Sequence, residues 1–246
     1  TNNEIVEDRQ ALYDKAEAAQ LTSSGMAANS AVALSYLRPG DALVHYTPLY
    51  GGTETLFGKV FPQWGIKPIP FIEGLNAEQL LYALENVGGH SDLIAGGITG
   101  AKEMLKPVRQ TRSAFGFQLD PHSSWMLSRS METLSLRMEK AATSGLKVAS
   151  WLAENDILPA KVLHPEITGC ERAHAVYATQ CSGPGSTFSF VVDNARGLAF
   201  RLINALKIFK LAVSLGGSES LVCHPASTTH SGVPQEARVI AGVTEG

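Results

Sequence analysis

Predicted strands and helices alternate along the first half of this chain, and this alternation restricts the possible fold more than any other feature. The chain begins with a predicted helix over residues 5–20 and a second over 26–37, followed by a strand over 42–46. Further elements follow after short connections: helices over 53–61, 76–85 and 102–112, and strands over 66–71 and 93–99. Strands separated by single helices predict a parallel sheet covered on both faces, and therefore an α/β fold.

A tight turn opens the second predicted helix. The segment Ser23-Ser24-Gly25-Met26 combines a Ser/Gly turn with the first residues of an apolar helix. The first turn of a helix carries unpaired backbone N–H groups and a partial positive charge, which together can bind an anion. The segment therefore predicts an anion site, with an ordinary strand-turn-helix unit as the alternative.

A tyrosine followed by two glycines comes shortly after the strand over 42–46. Tyr50 precedes Gly51, Gly52 and Thr53, and its ring offers a flat π-face and a phenol. An aromatic platform near an anion site is what a phosphorylated, ring-shaped cofactor requires. The two segments together lead to the hypothesis of such a cofactor.

The second half of the chain predicts a different architecture. Apolar residues step by four and three from Leu127 to Ala141, so one long helix is predicted from Asp120 to about Glu154. A helix of that length usually joins two domains. We therefore expect a large α/β domain over 1–121 and, over 122–246, a linking helix with a smaller α+β domain. That smaller domain has predicted strands over 160–163, 186–192 and 211–214 and predicted helices over 194–206 and from residue 234 onward.

Composition argues against some partners. The net charge of −3 gives no electrostatic reason to expect nucleic acid or an anionic membrane, and no apolar stretch approaches the length of a membrane span. The cysteines Cys170, Cys181 and Cys223 form no C-x-x-C pair, which favours a reducing compartment. We therefore expect a cytoplasmic protein.

No metal site is expected. His164, Cys170 and His174 are the candidate ligands, but their spacing matches no structural zinc pattern. The sequence also lacks a G-x-x-x-x-G-K-[ST] loop, a G-x-S-x-G elbow and an H-E-x-x-H helix.

A series of motifs resembles the pyridoxal-phosphate (PLP) enzymes of cysteine and methionine metabolism. The motifs, in order, are SGMAA at 24–28, RPGD at 38–41, LYGGT at 49–53, GHSD at 89–92, LSLRM at 134–138, GS at 185–186 before FSF at 188–190, SLGGSESL at 214–221, and HPAS at 224–227 with THS at 229–231. That family includes cystathionine γ-synthases, cystathionine γ- and β-lyases, methionine γ-lyases and homoserine-ester sulfhydrylases. The resemblance covers nearly the whole chain and implies the PLP-dependent transferase fold of the aspartate-aminotransferase type.

The resemblance also implies a set of site residues. Ser24, Gly25 and Met26 would hold the PLP phosphate through the Gly25 and Met26 amides, and Tyr50 would stack on the cofactor ring and carry a proton for the leaving group. Ser214 and Leu215 would lie at the substrate carboxylate and near the reacting amine. The implied partners are a small amino-acid substrate and three further copies of the chain in a homotetramer, a dimer of dimers.

The implied reaction is γ-elimination or γ-replacement on a sulfur-containing or O-acylated C4 amino acid. Gly52 stands where methionine γ-lyases usually carry a cysteine, which argues against an enzyme dedicated to methionine. Val213 stands where cystathionine γ-lyases and γ-synthases often carry a carboxylate that would suit the distal ammonium of cystathionine. A short substrate is therefore favoured over cystathionine. The alternatives are a cystathionine γ-synthase or γ-lyase, and a catalytically inactive relative.

One departure from the family is large. In relatives the lysine that binds PLP covalently lies a few residues before GHSD, whereas residues 83–88 here read ALENVG. The central strands and the aspartate for the pyridine nitrogen are missing too. Either the protein lost this lysine, or the complete protein carries a segment between Asn86 and Gly88 that this sequence omits. Loss of central strands would leave sheet edges unpaired in a fold whose stability margin is about 5–15 kcal/mol, so we expect the omitted segment.

Overall fold

A computed structural model describes residues 2–46, 49–71, 89–155, 160–167, 169, 171–192, 195–233, 235–240 and 242–246. The chain divides into two compact units. The first contains Thr1–Glu132 and Ser214–Ser218, and the second contains Thr133–Val213 and Glu219–Gly246. The first unit therefore extends to Glu132, past the domain end that the sequence suggests at residue 121.

Helices and strands alternate in the first unit. They are α1 (Asn2–Tyr13), β1 (Ala18–Thr22), α2 (Gly25–Tyr36), β2 (Ala42–Tyr46), α3 (Gly51–Thr55), β3 (Lys67–Phe71), β4 (Gly96–Gly100), α4 (Lys102–Phe115) and α5 (Pro121–Met131). After α3 the chain continues as a π-helical turn over Leu56–Val60 and a 3₁₀ turn over Phe61–Trp64, so the predicted helix over 53–61 is not one regular α-helix. The helix predicted over 76–85 lies outside the described residues.

Two strand pairs form the described sheet structure of this unit. β2 and β3 are parallel, with Ala42 opposite Lys67, as the alternating pattern predicts. β1 and β4 are antiparallel, with Thr22 opposite Gly96 and Ala18 opposite Gly100. Within the described ranges no third strand joins either pair.

Strand β1 replaces the end of a predicted helix. The helix predicted over 5–20 ends at Tyr13, and Lys15 adopts a left-handed backbone with φ of 52°. The Ala16 amide then closes the turn on the Ala11 carbonyl. The following segment favours helix by composition, but four of the five residues of β1 are buried, and burial against neighbouring elements overrides a weak local preference.

One buried hydrophobic cluster of this unit lies where α2 and α4 pack on the β1–β4 pair. Ala28 and Ala31 of α2 pack with Ile98 of β4 and with Leu105 and Val108 of α4. Alanine side chains are short, so the backbone of α2 can lie close to β4. This close approach determines where the N-terminus of α2 lies relative to the end of β1.

A buried ion pair ties three elements of the unit together. Arg112 of α4 pairs with Glu7 of α1, and their side chains are only 7% and 5% exposed. The same guanidinium donates to the Leu21 carbonyl at 2.8 Å, and the Leu21 amide donates to Glu7 Oε1 at 3.0 Å. The pair therefore fixes α1, α4 and β1 relative to one another.

The long helix predicted from Asp120 to Glu154 is wrong as a single element. Helix α5 ends at Met131, and α6 (Leu134–Glu154) begins after a two-residue break. The Glu132 amide donates to the carbonyls of Arg129 and Ser130, which tightens the last turn, and Thr133 has a ψ of 10° that departs from helical geometry. Neither proline nor glycine occurs at this break, and the apolar residues keep the same spacing across it. The sequence therefore gives no indication that the helix is interrupted.

The second unit is α+β, as predicted. Its elements are α6, β5 (Ala160–Leu163), α7 (Glu171–Gln180), β6 (Ser189–Val192), α8 (Arg196–Ala205), β7 (Lys210–Leu211), β8 (Leu221–Val222) and α9 (Gln235–Ile240). β5 and β6 pair antiparallel, β7 and β8 pair parallel, and Ala149, Leu152 and Val162 form the core. Helix α7 and strand β8 were not predicted from the sequence. No helix in the described ranges combines the length and the hydropathy needed to cross a membrane.

Candidate functional site

The turn predicted at 23–26 begins helix α2 with a side-chain cap. Ser24 has extended backbone angles, and its Oγ accepts a hydrogen bond from the Ala27 amide at 3.1 Å. The Ser24 carbonyl accepts from the Ala28 amide at 3.0 Å. These two bonds leave the amides of Gly25 and Met26 as first-turn donors, at the positive end of the helix dipole. The turn therefore has the geometry expected of an anion site.

Neighbouring residues fix the backbone of this turn. The Thr22 hydroxyl donates to the Ser24 carbonyl at 2.9 Å, and the Thr22 side chain is completely buried. The Ser23 amide donates to the Phe117 carbonyl at 2.8 Å. The turn is thereby held both by the end of β1 and by the segment after α4, so its amides have defined directions.

Tyr50 lies beside the same turn. A Cβ atom placed on Gly52 would be 2.8 Å from Tyr50 Cε1 and 3.1 Å from Met26 Sδ, so the ring and the thioether are neighbours around the space that Gly52 leaves open. Thr53 of α3 contacts two residues of α2. Its hydroxyl lies 3.5 Å from Met26 Sδ and accepts a hydrogen bond from Asn29 Nδ2 at 3.1 Å. The structure therefore brings Tyr50 to the N-terminus of α2.

The arrangement suits a planar phosphorylated group. Ser24, Gly25 and Met26 are half-buried, whereas Tyr50 is 59% exposed and presents its ring to solvent. Two backbone amides can bind phosphate oxygens, and an exposed aromatic face can stack on a heteroaromatic ring. The six residues directly before Gly89, ALENVG, contain no lysine for covalent attachment.

Ser214 and Leu215 are assigned to the same unit as the turn. Ser214 is exposed and Leu215 half-buried, and both belong to the Ser214–Ser218 segment of the first unit, although the chain on either side belongs to the second. Their contacts with a substrate stay predictions.

The structure describes two of the three residues considered as metal ligands, His164 and His174. His164 is buried, and its Nδ1 accepts from the Glu166 amide at 3.1 Å. Burial lowers the pKa of His164, and the Glu166 carboxylate offsets only part of that effect. His174 lies on α7, and Cys170 lies outside the described residues. In the described part of the chain, no three His, Cys, Asp or Glu side chains come close enough to hold a metal ion.

The residues that support the turn were not predicted from the sequence. Thr22, Gly96 and Phe117 all touch or approach its backbone. The pair Gly96-Gly97 inside a predicted strand could have indicated them, since glycine in a strand often marks the close approach of another backbone.

The chain is similar in sequence and in fold to enzymes of cysteine and methionine metabolism. The model of the family described as "Cys/Met metabolism PLP-dependent enzyme" matches residues 1–87 and 82–246. Cystathionine gamma-lyase of Bacillus subtilis is 35% identical over 179 residues, which cover 70% of this chain. Among solved structures, cystathionine gamma synthase from Xanthomonas oryzae pv. oryzae, in complex with aminoacrylate and cysteine, matches the whole chain with a TM-score of 0.88 at 22% identity and is itself covered to 79%.

The extent of these matches is uneven. The chain spans only 45% of the length of the Bacillus subtilis protein. L-methionine gamma-lyase of Pseudomonas deceptionensis is 27% identical over 307 positions that cover 98% of this chain and 76% of that protein. Because the alignment has 307 positions and the chain only 246 residues, at least 61 positions of the relative have no counterpart here. The two family-model matches meet at residues 82–87, the region where the lysine is missing.

Proposed function

This chain belongs to the Cys/Met metabolism PLP-dependent enzymes, and from that premise we propose that it binds PLP at the N-terminus of α2 and catalyses γ-elimination or γ-replacement on a short C4 amino acid. The observation that carries the proposal is the position of Tyr50. Its ring lies next to Met26, one residue beyond the Gly25 amide, where the capping bonds of Ser24 leave two donors for a phosphate.

The residues of the chain divide the work between binding and proton transfer. The Gly25 and Met26 amides bind the phosphate, and the Tyr50 ring supports the heteroaromatic ring. Bound PLP supplies the electron sink that allows an amino acid to lose a proton from carbon. The Tyr50 hydroxyl then delivers a proton to the leaving group on the γ-carbon of the substrate, while Ser214 and Leu215 orient its carboxylate and amine.

The proposed substrate class rests on Val213, the residue directly before Ser214. Val213 is apolar and 59% exposed, so it offers no charge for the second ammonium of cystathionine. Methionine, homocysteine and homoserine esters lack that group. L-methionine gamma-lyase of Pseudomonas deceptionensis, which matches over 98% of the chain, is a relative named for a short substrate, and cystathionine gamma-lyase of Bacillus subtilis, which matches over 70%, is one named for the longer substrate. We place the enzyme, as a homotetramer, in the cytoplasm.

The complete protein is proposed to carry its lysine in a segment between Asn86 and Gly88, in a Ser-x-Thr-Lys-like context. Three observations support this: the alignment that exceeds the chain by 61 positions, the two family-model matches that meet at residues 82–87, and the strand pairs whose edges no described strand covers. A strand-rich insertion there would give those edges partners.

Substrate preference tests the proposed function. We expect kcat/KM of the PLP-loaded complete protein to be higher for methionine or an acylated homoserine than for cystathionine, because Val213 leaves the distal ammonium of cystathionine without a charge partner. Initial rates of 2-oxo acid release, and of thiol replacement for the homoserine ester, measure the three values.

A tenfold or larger preference for cystathionine would contradict the short-substrate proposal and favour a cystathionine γ-synthase or γ-lyase. No turnover of any of the three, with PLP bound, would favour the inactive relative. Val213→Glu is the matched variant, and it should shift the preference toward cystathionine.

A further inference from the structure

Gly96 lies directly behind the turn that opens α2. A Cβ atom on Gly96 would be 2.1 Å from the Ser24 oxygen, 2.4 Å from the Ser24 carbonyl carbon and 2.5 Å from Thr22 Oγ1. Real Cβ atoms essentially never come within 3.0 Å of another heavy atom, so from 2.1 Å the Ser24 oxygen would have to move by roughly 0.9 Å. Only glycine fits at this position.

The atom that would have to move belongs to a rigid plane. The Ser24 carbonyl and the Gly25 amide are two ends of one planar peptide unit, so a displacement of the oxygen turns the N–H as well. That carbonyl is also fixed by the Thr22 hydroxyl at 2.9 Å and the Ala28 amide at 3.0 Å. The direction of the Gly25 N–H therefore depends on the space behind the Ser24 oxygen.

Strand β4 cannot easily withdraw to make room. It pairs with β1 from Gly96 to Gly100, and Ile98 is buried in the core with Ala28 and Ala31 of α2. A side chain at position 96 would therefore be accommodated by rotation of the Ser24–Gly25 peptide rather than by movement of the strand.

We propose that Gly96 is a positioning residue for the cofactor phosphate: the absence of its side chain lets the Ser24–Gly25 peptide point its N–H at the phosphate. This inference rests on the proposed function, because it assumes that the phosphate of PLP binds at Gly25 and Met26. Gly96 does not touch the cofactor and acts through Ser24.

The test compares PLP with pyridoxal, which has the same ring and no phosphate. Dissociation constants for both are measured by absorbance titration on the wild-type protein, Gly96→Ala and Gly100→Ala. Gly100 lies on the same strand, and a Cβ there would meet nothing within 4 Å. We expect Gly96→Ala to reduce the preference for PLP over pyridoxal by about 10- to 100-fold, the loss of one hydrogen bond to a charged group, and Gly100→Ala to leave it unchanged.

The ratio of the two dissociation constants distinguishes a change in the direction of the Gly25 N–H from general damage to the site, since general damage would weaken the binding of PLP and pyridoxal equally. An unchanged ratio in folded Gly96→Ala overturns the inference, and a wild-type protein without preference for PLP overturns the proposed function as well. If Gly96→Ala does not fold, Thr22→Val decides. That change removes the hydroxyl that fixes the same carbonyl, and the inference requires the ratio to fall in this variant too.

Discussion

Replacing Arg112 by methionine should lower the free energy of unfolding by about 3–5 kcal/mol, because the Glu7 carboxylate would be left buried without its countercharge. Glu7 is 5% exposed in its side chain and lies on α1, while Arg112 lies on α4. The Leu21 carbonyl would also lose a donor at 2.8 Å. Urea unfolding of the wild-type protein and the variant, followed by circular dichroism, measures the difference.

Two further variants show whether burial causes this loss. Glu103→Gln removes an ion pair with Lys106 on the same helix, but both side chains are exposed, so it should cost at most about 1 kcal/mol. The double variant Glu7→Gln/Arg112→Met removes both charges and keeps an acceptor for the Leu21 amide, so it should be more stable than Arg112→Met alone. Equal losses of unfolding free energy in Arg112→Met and Glu103→Gln would show that the buried ion pair contributes no more to stability than the exposed one.

Tyr50→Phe should reduce kcat by about 10²- to 10³-fold while PLP stays bound, because the ring remains next to Met26 and only the proton-carrying hydroxyl is lost. The phenol is exposed rather than buried, so its removal should not change the fold. Steady-state rates with the preferred substrate, together with the absorbance of bound PLP, measure the two effects separately.

Tyr36→Phe is the matched control for this substitution. Tyr36 lies at the other end of α2, and its hydroxyl donates to the Met104 carbonyl. Its removal should leave kcat unchanged. If Tyr50→Phe also retained full turnover, Tyr50 would be only a stacking surface; if it lost PLP, the hydroxyl would be part of the cofactor site instead.

Local features of the chain were predictable from its sequence. Ser24 followed by an alanine-rich segment specifies a capped helix start, and α2 begins at Gly25, one residue before the predicted start at residue 26. β2 runs from Ala42 to Tyr46, with the bounds that the sequence predicts. In these segments, cap preference and the apolar run indicate the structure that burial also favours.

Features that depend on distant contacts were not predictable. Glu7 and Arg112 are 105 residues apart, and no local pattern pairs them. The strand at Ala18–Thr22 has a helix-favouring composition, and the helix before it ends at Tyr13, with Lys15 rather than a glycine in the left-handed turn that follows. The requirement for glycine at position 96 arises from the Ser24 carbonyl, which lies on another element.

A peptide map of the complete protein, after loading with PLP and reduction with borohydride, locates the lysine that binds the cofactor. We expect Asn86 and Gly88 to fall in separate stretches of sequence, with the PLP label on a lysine between them. A peptide that reads continuously from Ala83 to Asp92, as in the present sequence, in a protein without a PLP-labelled lysine would contradict this expectation.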